Sequence, residues 1–455
     1  MNEPVQLTLR AGFDRQLVRI RHRSVRYLVV EATAPRIEER RETPPSPLNL
    51  GLIIDASGSM SGADLLTGGI QLSRLEAAKQ AGAGVVQQLG ERDCLSLVSF
   101  ADEALTHLAR LPLDAAGKRE AVAAIAALET RGSTNLHEGW LAGAEQVALH
   151  LQTHPECRSR LLLLSDGHAN QGVVDPGVLA EVASGLRVRG ISTSTVGIGA
   201  DYSSEQIEGI AEHGGGILHH AQNPGEIVEV VLAELRDMRA TCIDNLEVSV
   251  GLVGPGAGSS EGGVTVEVVG LASRPQPSGA CAVMGSLVGG ATRRAVFRVF
   301  VPEGPAGQVL HFRIEANWKA AGSEERQTEE LQAVLTRAGD KEVFPEITDQ
   351  ALGLEAARVW QAAVVRQAVL LNGQERYQEA SRYVGKQLKY FRRFCDRLSA
   401  GAELVAGLEE TMNRIIRPIE HHVRKELAVS MFQTRVSVVD ARCSSPIPWR
   451  DHLKE

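Results

Sequence analysis

Ten residues, Leu50-Gly51-Leu52-Ile53-Ile54-Asp55-Ala56-Ser57-Gly58-Ser59, constrain the fold more than any other stretch of the chain. A continuous apolar run, with no alternating polar residue, stops abruptly at an acid. Such a run reads as a strand buried on both faces of a parallel sheet. The C-terminal end of that strand is where open α/β sheets place their ligand sites, and Asp55-x-Ser57-x-Ser59 sits there. One carboxylate and two neutral hydroxyls are hard oxygen donors, which suit Mg2+ or Mn2+ and suit Zn2+ poorly. The same residue types also serve turns and helix N-caps. A metal reading therefore requires further donors from elsewhere in the chain.

Residues 46–240 supply them through strand–helix alternation. After the Asp55 strand comes an amphipathic helix carrying Leu75, Ala78, Ala81, Val85 and Val86, then a strand over 94–100 and an edge strand over 105–111. Helices over 115–128 and 135–151 lead to Arg160-Leu161-Leu162-Leu163-Leu164-Ser165-Asp166-Gly167, a second apolar run that ends at an acid. Helix 175–189, strand 191–198, helix 203–213, a short strand near 217–218 and helix 224–239 complete the pattern. The alternation predicts a doubly wound, Rossmann-like parallel sheet with right-handed crossovers and helices on both faces. In that topology the Asp55 and Asp166 strands are neighbours at the switch in strand order. Gly132-Ser133-Thr134 precedes a helix on the same rim. Asp55, Ser57, Ser59, Thr134 and Asp166 are thus expected to converge from three separated loops.

The flanks differ in character. Residues 1–45 carry short alternating runs that read as strands too few to close a sheet, and 36–47 read as an exposed linker. Residues 241–343 return to period-two alternation with Gly- and Pro-rich turns, the pattern of a β-sandwich. The N-terminal strands are expected to complete that sandwich, which makes the α/β domain an insertion into it. Residues 344–433 read as helical hairpins, with one helix spanning 402–432 and kinked at Pro418. Residues 434–455 read as a loosely packed tail.

Composition narrows the function. A chain of 455 residues is too long for one ordinary core. A net charge of −8 and a pI near 6.0 argue against nucleic-acid binding by bulk electrostatics. The basic residues Lys386, Lys389, Arg392 and Arg393 read as a solvated helix face. No apolar stretch is long enough to cross a bilayer, and Met1-Asn2-Glu3-Pro4 begins no signal peptide. Six scattered cysteines fit reduced thiols in a cytoplasmic protein. A P-loop and a nucleophile elbow are both missing, and Asp55-Ala56-Ser57 lacks the second acid of an aspartyl-phosphate phosphatase. Binding, with no enzymatic turnover, is the expectation.

Asp55-x-Ser57-x-Ser59, Thr134 in its Gly-Ser-Thr loop and Asp166-Gly167 together resemble the metal-ion-dependent adhesion site (MIDAS) of von Willebrand factor A (vWA) domains. The wider wording, Gly-Ser-Thr-Asn-Leu at 132–136 and Leu-Leu-Ser-Asp-Gly-His-Ala-Asn-x-Gly at 163–172, is similar to a bacterial intracellular branch. Flanking β-segments and a helical C-terminal region also occur in that branch. The resemblance implies that Ser57, Ser59 and Thr134 ligate Mg2+, or Mn2+, directly or nearly so. Asp55 and Asp166 would then bond to coordinated hydroxyls and waters. It further implies a protein partner that offers Glu or Asp to the ion, with Met60, Ser133, Gly167 and His168 beside it. The implied role is a Mg2+-dependent adaptor or scaffold. The alternative is a regulatory or substrate-recruiting subunit of a MoxR- or chelatase-type AAA+ ATPase, or of a multi-gene protease or kinase module, some of them defence-related. One departure stands out. Relatives pass from the metal loop straight into the first helix, whereas here residues 63–72 intervene before Arg74-Leu75-Glu76-Ala77-Ala78-Lys79. The extra loop could shape partner choice or cover the site; a tolerated surface insertion is the plain alternative.

Overall fold

The computed structural model describes the chain except residues 1–5, 37–45, 66–70, 168, 200–203, 255–262, 277–278, 324, 437 and 440–455. Three strands open it: β1 (Thr8–Phe13), β2 (Leu17–Arg19) and β3 (Ser24–Thr33). The α/β stretch runs β4 (Leu48–Asp55), β5 (Ala63–Leu65), β6 (Gln71–Ser73), α1 (Arg74–Gln88), β7 (Cys94–Phe100), β8 (Ala104–Pro112), α2 (Ala115–Ala126) and α3 (Leu136–Thr153). It continues through β9 (Arg158–Ser165), α4 (Pro176–Val188), β10 (Ile191–Ile198), α5 (Ser204–Gly214), β11 (Gly215–Ala221) and α6 (Pro224–Ala240). Strands return as β12 (Thr241–Val253), β13 (Thr265–Val269), β14 (Ser273–Gln276), β15 (Gly279–Val288), β16 (Thr292–Val301), β17 (Val309–Ala320) and β18 (Arg326–Ala338). The short α7 (Asp340–Val343) precedes α8 (Gln350–Gly373), α9 (Tyr377–Cys395), α10 (Gly401–Ile415), α11 (His421–Val436) and β19 (Val438–Val439). Two compact units result, one of residues 37–245 with 319–326, the other of residues 1–36, 246–318 and 327–455.

In the first unit the sheet order is β11-β10-β9-β4-β7-β8, parallel except for β8 at the edge. Every residue of β4 and β9 is buried, which is why both read as unbroken apolar runs. Their register pairs Ile54 with Leu164, so the chain leaves both strands at the same level. Helix α3 lies unusually close to this sheet. A Cβ on Gly139 would sit 2.4 Å from Phe100 Cβ, and one on Gly143 would sit 2.6 Å from Ile53 Cγ1. These glycines, one helical turn apart, turn a bare stripe toward β4 and β7. The helix start, and Thr134 just ahead of it, is thereby drawn down onto the strand ends.

The second unit holds two sheets, β1-β3-β16-β13 with β19 pairing β16, and β14-β15-β12-β17-β18-β2. The N-terminal β3 pairs antiparallel with all of β16, Ser24 opposite Val301 through Thr33 opposite Thr292. Phe13 of one sheet meets Phe312 of the other edge to face, at 5.4 Å between centroids. Helices α8 to α11 share one apolar core with Tyr27, Val29, Val269 and Val296 of the first sheet. Tyr27 stacks on Trp360 at 5.6 Å, and Trp360 meets Phe391 edge to face at 5.1 Å.

Three sequence expectations change. The helix expected over 402–432 is two helices, α10 and α11. Pro418 cannot supply the N–H that a continuous helix needs, and buried Asn372 takes over the break. Its Nδ2 donates to Ile415 O (2.9 Å) and Arg417 O (2.7 Å), and its Oδ1 accepts from Ile419 N (3.2 Å). In the intervening segment β5 and β6 pair antiparallel, Ala63 opposite Ser73 and Leu65 opposite Gln71; residues 66–70 lie outside the described residues. The segment read as a tail begins as helix, because α11 extends to Val436; residues 440–455 lie outside the described residues.

Gly139→Ala is expected to cost about 1–3 kcal/mol by overpacking α3 against Phe100. Denaturant unfolding of the variant measures it. A change below about 0.5 kcal/mol, the range of ordinary surface substitutions, would contradict the close approach.

Candidate metal centre

The site is built where β4 and β9 end. Beyond Asp55 the chain makes a single 3-10 turn, Gly58–Ser61, and backbone bonds stitch this loop to its neighbours. Ala56 N donates to Phe100 O (2.8 Å), Arg131 N to Ala56 O (2.6 Å) and Gly58 N to Gly132 O (3.1 Å). The loops carrying Ser57, Ser59 and Thr134 are therefore held in mutual register before any side chain acts.

Asp55 is fully buried, and both of its oxygens are committed. Oδ1 accepts from Ser57 N (2.8 Å) and Oδ2 from the Ser165 hydroxyl (2.7 Å). Burial pushes its carboxyl up to about 6; hydrogen bonds from Ser165 and Ser57 oppose that rise, and the charge of Asp166 adds to it. With both oxygens taken, Asp55 orients the loop instead of reaching outward. Asp166 is also fully buried. Its Oδ1 accepts from the Ser59 hydroxyl (2.7 Å), and its Oδ2 accepts from Arg74 Nη1 (2.7 Å). Ser57 and Ser59 hydroxyl oxygens lie 3.0 Å apart.

Thr134 joins them from the third loop. The cap of α3 is Asn135, whose Oδ1 accepts from Glu138 N at 3.3 Å, so the Thr134 hydroxyl is not spent on the helix. Its backbone is clamped by Asn170: Thr134 N donates to Asn170 Oδ1 (3.2 Å), and Asn170 N donates to Thr134 O (3.1 Å). A Cβ added to Gly167 would lie 3.4 Å from Thr134 Oγ1 and 3.7 Å from Ser59 Oγ. Those two hydroxyls thus face the same small space, which a side chain at 167 would fill.

All five expected donors come together. Of the residues expected to meet a partner, Met60 does not reach the rim. It is fully buried in the core beneath the sheet, because the 3-10 turn rotates it inward. The Ser133 hydroxyl donates to Asp102 Oδ1, which also accepts from Ser133 N at 2.8 Å; these bonds hold the Asp102 carboxyl below its ordinary range. Gly132 is required there, since a Cβ would fall 1.7 Å from Asp102 Oδ2. Gly167 is half-buried beside Thr134, and His168 lies outside the described residues. The sequence reading missed Ser165, Asn170, Asp102 and Arg74. Ser165 and Asn170 stood inside the quoted 163–172 segment. Arg74 stood at the first helical position after the inserted segment.

As a donor set these residues fit a hard divalent cation. Every converging group is oxygen, and only two of the five are acids. Among the described residues no cluster of three or more His, Cys, Asp or Glu forms a metal site.

The model of the von Willebrand factor type A domain matches residues 49–232. This stretch is a von Willebrand factor type A domain. The vWA match takes in all five oxygen donors. An uncharacterised protein of Synechocystis sp. is 31% identical over 184 residues, 40% of this chain and 39% of that protein. The YfbK protein of Escherichia coli is 28% identical over 203 residues, 44% of this chain and 33% of that protein. Human inter-alpha-trypsin inhibitor heavy chain H3 is 29% identical over 144 residues, 30% of this chain and 15% of that protein. The chain thus spans well under half the length of these curated relatives. Solved structures resemble it over most of its length. A von Willebrand factor type A protein from Catenulispora acidiphila aligns with a TM-score of 0.64 at 17% identity, covering 89% of both chains. The ArnB paralog VWA2 from Sulfolobus acidocaldarius aligns with a TM-score of 0.58 at 17% identity, covering 95% of this chain and 98% of its own. The fold beyond the vWA domain is therefore shared as well. No described helix is long and apolar enough to cross a membrane.

The raised Asp55 carboxyl makes a pH prediction for the protein in chelator. The folded state binds this proton more tightly than the unfolded chain does, so stability is lost as pH rises through about 6. Wild type should gain stability relative to Asp55→Asn as pH falls from about 7 to about 5. Thermal melts of both proteins across that range measure it, and a constant difference would contradict the buried, ionised acid.

Proposed function

We propose that this chain binds a divalent cation, Mg2+ or Mn2+, at Asp55, Ser57, Ser59, Thr134 and Asp166. Through that ion it recruits a protein that offers a Glu or Asp side chain. The observation that carries the reading is the hydroxyl pair at 3.0 Å, with Ser59 donating to Asp166, beside the Gly167 gap that Thr134 and Ser59 share. von Willebrand factor type A domains are often metal-dependent protein-interaction modules, which supports the same reading.

The chain's residues divide the work. The Ser59 hydroxyl donates to Asp166, so in the Ser57–Ser59 pair it is Ser57 that donates, and Ser59 keeps one lone pair for the cation; Ser57 and Thr134 supply the other neutral oxygens. Asp166 holds the Ser59 hydroxyl in orientation and Asp55 holds the Ser57 backbone, and their charge reaches the ion through other groups. Mg2+ in such a sphere supplies an electrophilic position, holding exchangeable water, that a carboxylate can take. The assignment is binding, with no bond made or broken in the partner. An ATPase or protease subunit enters this reading only as a protein that presents such a carboxylate.

Selection of a random displayed peptide library on the full chain tests the proposal. Peptides enriched in Mg2+ should share one Asp or Glu, and should be released by EDTA. Ser59→Ala and Thr134→Ala should each weaken retention at least about tenfold, a loss of about 1.4 kcal/mol. Binding that persists in EDTA, or enriched peptides without an acid, would overturn it.

A further inference from the structure

Between Glu379 and Asp396 the sequence holds five bases and no acid, in a chain whose net charge is −8. That stretch is helix α9. It turns Ala380, Val384, Leu388, Phe391 and Cys395 into the core it shares with α8 and α10, and Trp360 of α8 fixes its roll by donating from Nε1 to Gln387 Oε1 at 3.2 Å. The opposite face is set by the same contacts. Arg382, Lys386, Lys389 and Arg393 are all exposed there, and their spacing of four, three and four residues puts them in one line along the helix. The line is about 16 Å long at 1.5 Å per residue. Like charges at these spacings repel one another, and the chain neutralises only the flanks. Arg392, off the line, pairs with Glu409 of α10, and Arg376 pairs with Glu379. Arg382 acts on Glu379 through its charge alone. Among the described residues Lys386, Lys389 and Arg393 take no ion pair or side-chain hydrogen bond.

We propose that this line is a docking surface for an acidic helix of a protein partner, one that sets Asp or Glu at the same four-three-four spacing. Charge complementarity carries the inference, and the arrangement of the charges selects the class of partner. The chain's own α10 already neutralises the neighbouring flank in this mode, with Glu409 of one helix on Arg392 of the next. A bilayer would need apolar side chains beside the bases. Tyr390, 54% exposed, is the one exposed large hydrophobic side chain of α9. A long polyphosphate chain would meet the repulsion of an acidic protein beyond the line, and bases would need more than one ring to stack on. A short acidic helix spans the line and extends no further. Each exposed pair contributes little alone; four in register on one packed helix add, and they fix the partner's orientation. The strand-end oxygen donors take no part, so this surface stands apart from the metal reading.

Fluorescence anisotropy of two labelled peptides on the full chain tests this, in EDTA so that no ion serves the strand-end centre. Both are about eighteen residues long, enough to hold a helix, and are built from Ala and Gln with four Glu. One sets the Glu residues at four-three-four spacing, and the other spreads them around the helix. The aligned peptide should bind at least about tenfold more tightly at low salt, and the difference should shrink as sodium chloride rises. Lys386→Gln, Lys389→Gln and Arg393→Gln together should weaken the aligned peptide at least about tenfold. Arg21→Gln, Arg23→Gln and Lys341→Gln together remove the same charge from other exposed positions and should leave its binding within about twofold. Each variant is first shown to melt cooperatively, and Lys389→Glu alone carries the same direction should the triple variant fail to fold. A uridine oligomer and phosphatidylglycerol vesicles are the competing arms. Tighter binding of either through the same three residues overturns the proposal. So does equal binding of the two peptides, or aligned binding that is undetectable or unchanged in the triple variant. None of these results touches the metal reading.

Discussion

Two fully buried carboxylates stand at the ends of two adjacent parallel strands, and the surrounding structure answers the cost of keeping them there. A buried anion is tolerated only with hydrogen bonds or a counter-charge. Asp55 is served by Ser57 N and the Ser165 hydroxyl, Asp166 by the Ser59 hydroxyl and the Arg74 guanidinium. These partners come from the strand next door, from the turn after β4 and from the first residue of α1. Meeting that requirement fixes the loop after β4, the end of β9 and the start of α1 relative to one another. The bare stripe of Gly139 and Gly143 then brings the Thr134 loop to the same point.

Much of this was legible in the chain. Two apolar runs that each stop at an acid announce strands buried on both faces, and the rules of doubly wound sheets make them neighbours. Five oxygen donors could be named because each sits at a strand end or a helix start on one rim. What escaped has a common physical cause: it depends on groups distant in sequence. Asn372 resolves a helix break more than forty residues away. Asp102 anchors a loop about thirty residues later. Arg74 reaches Asp166 across ninety-two positions. Periodicity reports which face a residue presents to its own element, and such pairings leave no trace in it. Met60 was misread for a local reason, since one 3-10 turn reverses the direction that a plain loop would give it.

The unit of sheets and helices around residues 8–33 and 265–436 shares its fold with solved bacterial and archaeal vWA proteins.

Anomalous diffraction from crystals grown with MnCl2 tests the central claim most directly. The account predicts a manganese peak bonded to the hydroxyl oxygens of Ser57, Ser59 and Thr134, with Asp55 and Asp166 outside direct contact. A peak ligated by the two carboxylates themselves, or no peak among these five residues, would contradict it.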